Sequence, residues 1–62
     1  MLGVPEGATA VILDSKRQRL TVHVIGRATH YLPNGRKVSG YRVHHERGTF
    51  TVAGWDLIEY KG

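Results

Sequence analysis

The sequence predicts a small all-β domain, and three observations support this prediction. Twenty of the 62 residues are Val, Ile, Thr, Tyr, Phe or Trp, the residue types that favour strands. Eight glycines and two prolines interrupt them, as expected for turns. No window repeats apolar residues at helical spacing over the length that a helix needs. We therefore expect one domain over residues 1–62, with residues 1–6 as an N-terminal arm and at most one turn of 3₁₀ helix.

Five segments have the composition of short strands bounded by turn residues. The second segment is long and is interrupted by Gly26, where we expect the strand to bend. A polar connection over 14–19 follows the first strand, and a single tight turn over 54–57 precedes the last. The predicted strands cover residues 9–13, 20–32, 38–46, 49–53 and 58–60.

Two turns set the predicted pairing of these strands. Asn34-Gly35 is typical of a two-residue type I′ hairpin turn, because both of its central residues need a positive φ. Arg47-Gly48 is predicted as the second turn. The two turns agree on which face is inward, because the second turn places its inward side chains beside Val43, which the first turn already places inward. The inward set is Val22, Val24, Ala28, Tyr41 and Val43 from the first turn, and Phe50 and Val52 from the second. The outward set is His23, Ile25, Arg27, Thr29, Tyr31, Arg42, His44, Glu46 and Thr51.

Five short strands with tight turns are expected to curl into a closed barrel, which would leave no open edges. The order of elements resembles the SH3-like small barrels. The resemblance rests on Tyr41-Arg42-Val43, on Gly-Thr-Phe-Thr-Val at 48–52 and on Trp-Asp-Leu-Ile-Glu-Tyr at 55–60. It implies a five-stranded barrel with one 3₁₀ turn before the last strand. The acidic loop of proline-peptide-binding SH3 domains and the Val-Gln-Ile-Tyr motif of plasmid-type dihydrofolate reductases are absent, so the resemblance implies no function.

Several functional classes are not expected. The chain has no cysteine, which excludes thiol chemistry and disulfide scaffolds. The longest apolar run, 10–13, is too short to span a bilayer, and residues 1–5 do not form a signal peptide. We therefore expect a cytoplasmic protein with no membrane partner. Ser15 and Ser39 have no histidine and acid arranged around them by a motif, and a small barrel is filled by side chains. The sequence predicts no enzyme and no cofactor.

The basic residues predict a polyanion-binding surface. The chain carries nine Lys and Arg against five Asp and Glu, a net charge of +4. In the predicted register Arg27 and Arg42 face each other on the outer side, where opposed like charges are destabilising. A nucleic acid, DNA or RNA, would neutralise them through its phosphates. Tyr31 and His44 would lie alongside and stack on bases. The predicted contact residues are Arg27, Arg42, Lys16, Arg17, Arg19, Arg36, Lys37, Tyr31 and His44.

Other partners remain open at this point. The basic surface equally suits an acidic protein, in which case the chain is a protein-interaction module, a small regulator or an inhibitor. Apolar Ile25 and Val38 on the outer side suggest a homodimer. Short basic domains of this kind occur in phages and mobile elements.

The histidines and Trp55 each have two interpretations. A metal cluster of His23, His44 and Glu46 is conceivable, but the three are expected to be ordinary surface residues, and no metal is predicted. In the predicted register His23 lies opposite Glu46 and His44 opposite Ile25. Trp55 is expected to plug the end of the barrel; the alternative is an exposed aromatic ledge shared with Tyr31 or Tyr41.

Overall fold

The chain folds as a single antiparallel sheet with one 3₁₀ turn. The computed structural model describes residues 3–46 and 48–62, so Met1, Leu2 and Arg47 lie outside the described residues. The elements are β1 (Thr9–Leu13), β2 (Arg19–Tyr31), β3 (Lys37–His45), β4 (Gly48–Ala53), a 3₁₀ turn (Gly54–Asp56) and β5 (Leu57–Lys61). The prediction of an all-β chain with five strands and one helical turn is confirmed.

The sheet is open. Its strand order is β4-β3-β2-β1-β5, with every neighbouring pair antiparallel. Over the described residues β4 pairs only with β3 and β5 only with β1, so the predicted closure into a barrel is not observed. None of these residues belongs to a helix long and apolar enough to cross a membrane.

One face of the sheet carries the core. Val22, Val24, Tyr41, Val43 and Val52 are buried, as predicted, together with Ile12 and Leu57. Val4, from the predicted N-terminal arm, also belongs to the core, and its backbone N–H donates to the Tyr41 phenol oxygen at 3.4 Å. The prediction that Phe50 is buried is wrong, since 39% of its surface is exposed. Phe50 lies on β4, an edge strand that pairs with β3 alone among the described residues, so one flank of its side chain stays open.

The loop between β1 and β2 is built around Asp14. One Asp14 carboxylate oxygen, Oδ1, accepts hydrogen bonds from the backbone N–H groups of Lys16 and Gln18, each at 2.8 Å. The Arg17 N–H donates to the Asp14 carbonyl at 2.9 Å. Arg17 has a φ of 59°, the only positive φ of a described non-glycine residue. This loop therefore holds an arginine in a backbone conformation that favours glycine.

Arg17→Gly is expected to stabilise the protein by about 0.5–1 kcal/mol, because it removes the cost of the left-handed conformation and adds a smaller unfolded-state entropy cost. Urea unfolding followed by circular dichroism measures the change. Lys16→Gly is the matched control, because Lys16 does not have a positive φ; it should leave stability unchanged or lower it. A fall in stability for Arg17→Gly would contradict this account of the loop.

The loop between β2 and β3 has three residues rather than the predicted two. The Leu32 N–H donates to the Arg36 carbonyl at 2.8 Å, which makes these two residues the closing pair. Gly35 has a φ of 84°, but Asn34 does not have the positive φ that a type I′ turn requires. Its side-chain oxygen instead accepts from the Arg36 N–H at 2.9 Å. Pro33 favours this geometry, because its fixed φ suits the first central position of a type I turn.

The strand pairing accordingly differs from the prediction. Beyond the loop Tyr31 lies opposite Lys37, one residue away from the predicted partner, Val38. A bulge at Ile25 then shifts the register again, so that Gly26 lies opposite Arg42 but Val24 lies opposite Val43. Between β3 and β4, Val43 lies opposite Phe50 instead of Val52. The predicted turn at Arg47-Gly48 includes a residue outside the described part of the chain.

Candidate nucleic-acid interface

The nine predicted contact residues are all exposed, but they do not form one surface. Lys16 and Arg17 lie in the loop before β2, and Arg19 is the first residue of that strand. Arg36 precedes β3 and Lys37 is its first residue, beyond the opposite end of β2. Because β2 is 13 residues long, these two basic groups lie at the two ends of the longest strand. Arg27, Tyr31, Arg42 and His44 lie along β2 and β3 between these two ends.

The predicted facing of Arg27 and Arg42 is wrong. Arg27 lies opposite Tyr41, and Arg42 lies opposite Gly26 on β2 and Thr51 on β4. The bulge at Ile25 is the cause, because one extra residue on β2 reverses the side to which the following side chains point. Cross-strand partners share a face, so Arg27 projects on the side of the buried Tyr41 and Arg42 on the outer side. The two guanidinium groups therefore do not repel each other across the ladder.

The part of the hairpin beyond the bulge, residues 27–41, forms a two-stranded arm. β4 ends opposite Gly40 and β1 reaches only as far as His23, so most of the arm has no flanking strand. Three successive cross-strand pairs, Arg27 with Tyr41, Thr29 with Ser39 and Tyr31 with Lys37, lie on its inner side. We call their exposed members the arm face: Arg27, Thr29, Tyr31, Lys37 and Ser39.

The aromatic ring of the arm face has a cation beside it. Tyr31 is 60% exposed, and the Lys37 ammonium lies 6.0 Å from the centre of its ring. This distance is at the outer limit of a cation–π contact. The arm face thus combines a flat aromatic surface with two cations, Arg27 and Lys37, and the hydroxyl groups of Thr29 and Ser39.

A cleft of about 370 Å³ lies at the base of the arm. Arg27, Thr29 and Ser39 line it together with Tyr41 and with Gly54 of the 3₁₀ turn. Trp55, the next residue along that turn, is 63% exposed. The prediction that Trp55 plugs the core is therefore wrong. Leu57, at 3% exposure, is the buried residue that follows the turn.

The outer face carries a row of threonines and histidines. His23 lies directly opposite His44, not opposite Glu46 as predicted, with Thr9 and Thr49 on the flanking strands. Nδ1 of each imidazole lies 3.5 Å from the hydroxyl oxygen of its flanking threonine. Among the described residues no group of three or more His, Asp or Glu is placed to hold a metal ion. His44 is therefore part of a polar outer row that is separate from the arm face.

The sequence contains a sign that the cations of the arm lie together, which the alternation of apolar and polar residues does not show. Residues 15–45 contain seven Lys and Arg and no Asp or Glu, while all five acidic residues lie outside this segment. The segment covers the first loop, β2, the second loop and β3. Charge segregation by segment therefore identifies the hairpin as the basic part of the molecule, although the two halves of the chain carry similar net charge.

No protein-family model, curated protein or solved structure matches this chain. The features that bear on function are therefore the arm face, the cleft and the charge distribution of the chain itself.

Proposed function

We propose that the protein binds single-stranded nucleic acid along the arm face. The observation that carries this proposal is the set of three cross-strand pairs that brings Arg27, Lys37 and Tyr31 onto one exposed face. No acidic residue lies between positions 15 and 45, so nothing on the arm itself would repel a phosphate. Proteins that bind single strands combine a positive surface with aromatic side chains on which bases stack.

Each group of the arm face has a role in this proposal. Arg27 and Lys37, with Arg36 at the tip, neutralise backbone phosphates. Tyr31 offers its ring to a base, on the side that Lys37 does not occupy. The hydroxyl groups of Thr29 and Ser39 in the cleft hydrogen-bond phosphate or sugar oxygens, as such side chains do in many nucleic-acid complexes. This contact set is smaller than the one predicted from the sequence. It leaves out Arg42, His44, Lys16, Arg17 and Arg19.

An SH3-like fold and a cytoplasmic location belong to the same proposal. The order of strands and the single 3₁₀ turn before β5 support the fold assignment. A cytoplasmic location would give the protein access to single-stranded RNA and DNA. Docking on an acidic protein is the competing function, and the experiment below separates the two.

Arg27→Gln is expected to weaken the binding of a labelled oligothymidine, measured by fluorescence anisotropy. The slope of log affinity against log salt concentration should also become shallower by about 0.7, the contribution of one phosphate contact on a single strand. Arg42→Gln is the matched control, since it removes the same charge from the opposite side of the same hairpin. It should change the affinity far less.

Equal losses for the two variants would contradict the arm face as the site. If the wild-type protein binds neither single strands nor duplexes at low salt, nucleic-acid binding is excluded and an acidic protein partner becomes the better hypothesis.

A further inference from the structure

The two edges of the sheet differ in how they are protected. Exposed edge strands present unpaired N–H and C=O groups, and proteins commonly block them with charged residues, prolines or bulges. β5 carries Glu59 and Lys61, and its pairing with β1 shifts register between Val11 and Ile12. The β5 edge is thus interrupted by both charge and irregular pairing.

The β4 edge has none of these features. Its six residues, Gly-Thr-Phe-Thr-Val-Ala, include no charge and no proline. Its pairing with β3 runs without a shift from Gly48 to Ala53. Within the described residues no backbone hydrogen bond from a turn or loop reaches this strand. Phe50, in its middle, keeps 39% of its surface exposed. A regular, neutral edge with an exposed aromatic side chain is suited to adding another strand.

The sequence of this edge is self-complementary. Thr49-Phe50-Thr51 reads the same in both directions. When two copies pair antiparallel and centre on Phe50, the two phenylalanines face each other and each Thr49 faces Thr51 of the other copy. This register keeps inward side chains beside inward ones, because side chains alternate along a strand. Aromatic pairs and threonine pairs are both favourable cross-strand combinations.

We infer that the protein forms a two-fold symmetric dimer by antiparallel pairing of β4 with β4 of a second copy. The two five-stranded sheets then become one ten-stranded sheet, and Phe50 is covered by Phe50 of the other copy. The arm contacts β4 on the outer side of the sheet, where His30 Nδ1 lies 3.0 Å from the Thr51 hydroxyl oxygen. The arm face projects on the inner side instead. The dimer and the nucleic-acid proposal therefore rest on different residues.

Charge sets the conditions under which the dimer forms. Each copy carries a net charge of +4, so the two copies repel each other at low ionic strength. Salt screens this repulsion, and the Debye length falls to about 3 Å at 1 M. Dimerisation is therefore strengthened by added salt, whereas binding of a polyanion is weakened by it.

Sedimentation velocity of the wild-type protein and of charge variants at Phe50 tests the inference. Over protein concentrations of about 10 µM to 1 mM, the range for an association of moderate strength, the wild type should change from monomer to dimer. Phe50→Lys and Phe50→Glu should each remain monomeric, because two like charges would face each other in the pair. An equimolar mixture of the two variants should form a dimer again, which shows that both are folded.

Tyr60→Lys is the matched control, since Tyr60 is also 39% exposed but lies on the β5 edge; it should dimerise like the wild type. The inference would be overturned if the wild type stayed monomeric at every concentration. It would also be overturned if the mixture of the two Phe50 variants stayed monomeric while circular dichroism showed each variant to be folded. Loss of the dimer in Tyr60→Lys would overturn it as well.

Discussion

Gly40→Ala is expected to unfold the protein. A Cβ atom at this position would overlap the backbone carbonyl oxygen of Val52 and lie 3.2 Å from the Cα of Ala53. Both contacts are with the backbone of β4, which pairs with β3 at this point, so no side-chain rotation relieves them. Overpacking costs about 1–3 kcal/mol where side chains can adjust, and more where they cannot. We expect a cost of at least about 3 kcal/mol, comparable to the whole stability of a domain of this size.

Gly26→Ala is the matched control for this variant. Gly26 also lies on a strand of the same hairpin, but a Cβ there meets no atom within 4 Å and its φ is not positive. Thermal and urea unfolding followed by circular dichroism should show a folded Gly26→Ala protein and an unfolded or strongly destabilised Gly40→Ala protein. Equal stability of the two variants would contradict the close packing of β3 against β4.

Ile12→Ala is expected to destabilise the protein by about 2–5 kcal/mol, the usual range for truncating a buried isoleucine. Ile12 is 1% exposed and is among the largest fully buried side chains. Its neighbour Leu13 is 38% exposed and is the matched control, since Leu13→Ala removes a similar group from the same strand. Urea denaturation should give a loss several times larger for Ile12→Ala. A larger loss for Leu13→Ala would show that the faces of β1 are assigned the wrong way round.

The sequence was sufficient to predict the strands themselves. Residues 9–13 match β1 in full, and the other four strands differ from prediction by one or two residues at their ends. Alternation of apolar and polar residues also identified Val22, Val24 and Val43 as core, because in a strand this pattern directly reflects which side chains face inward. These features depend on local composition and on one face being apolar.

The pairing of the strands could not be predicted in the same way. In the body of the sheet the predicted register is wrong by two residues. A shift of two residues leaves each side chain on its predicted face, so the agreement between the two predicted turns could not reveal the error. In the arm it is wrong by one residue, which reverses the facing of Arg27. Pro33 was the available signal for the three-residue loop, and Gly26, where the strand was expected to bend, adjoins the bulge at Ile25. The glycine does not show that an extra residue shifts the pairing there.

The candidate site could be predicted only in part for the same reasons. Exposure of all nine contact residues followed from their polarity, but their grouping depended on the bulge and the loop, which separate Arg27 from Arg42. The edge position of Phe50 and the exposure of Trp55 depended on the sheet staying open, which is a property of the whole chain and not of any one segment.

The salt dependence of oligonucleotide binding by the wild-type protein tests the central claim most directly. Anisotropy titrations of a labelled oligothymidine should give an affinity that falls linearly on logarithmic axes as salt rises from about 50 mM, with a slope of about −2, because Arg27, Arg36 and Lys37 each contribute about −0.7 on a single strand. No binding at the lowest salt, or an affinity that does not change with salt, would contradict the proposal that the arm face binds nucleic acid.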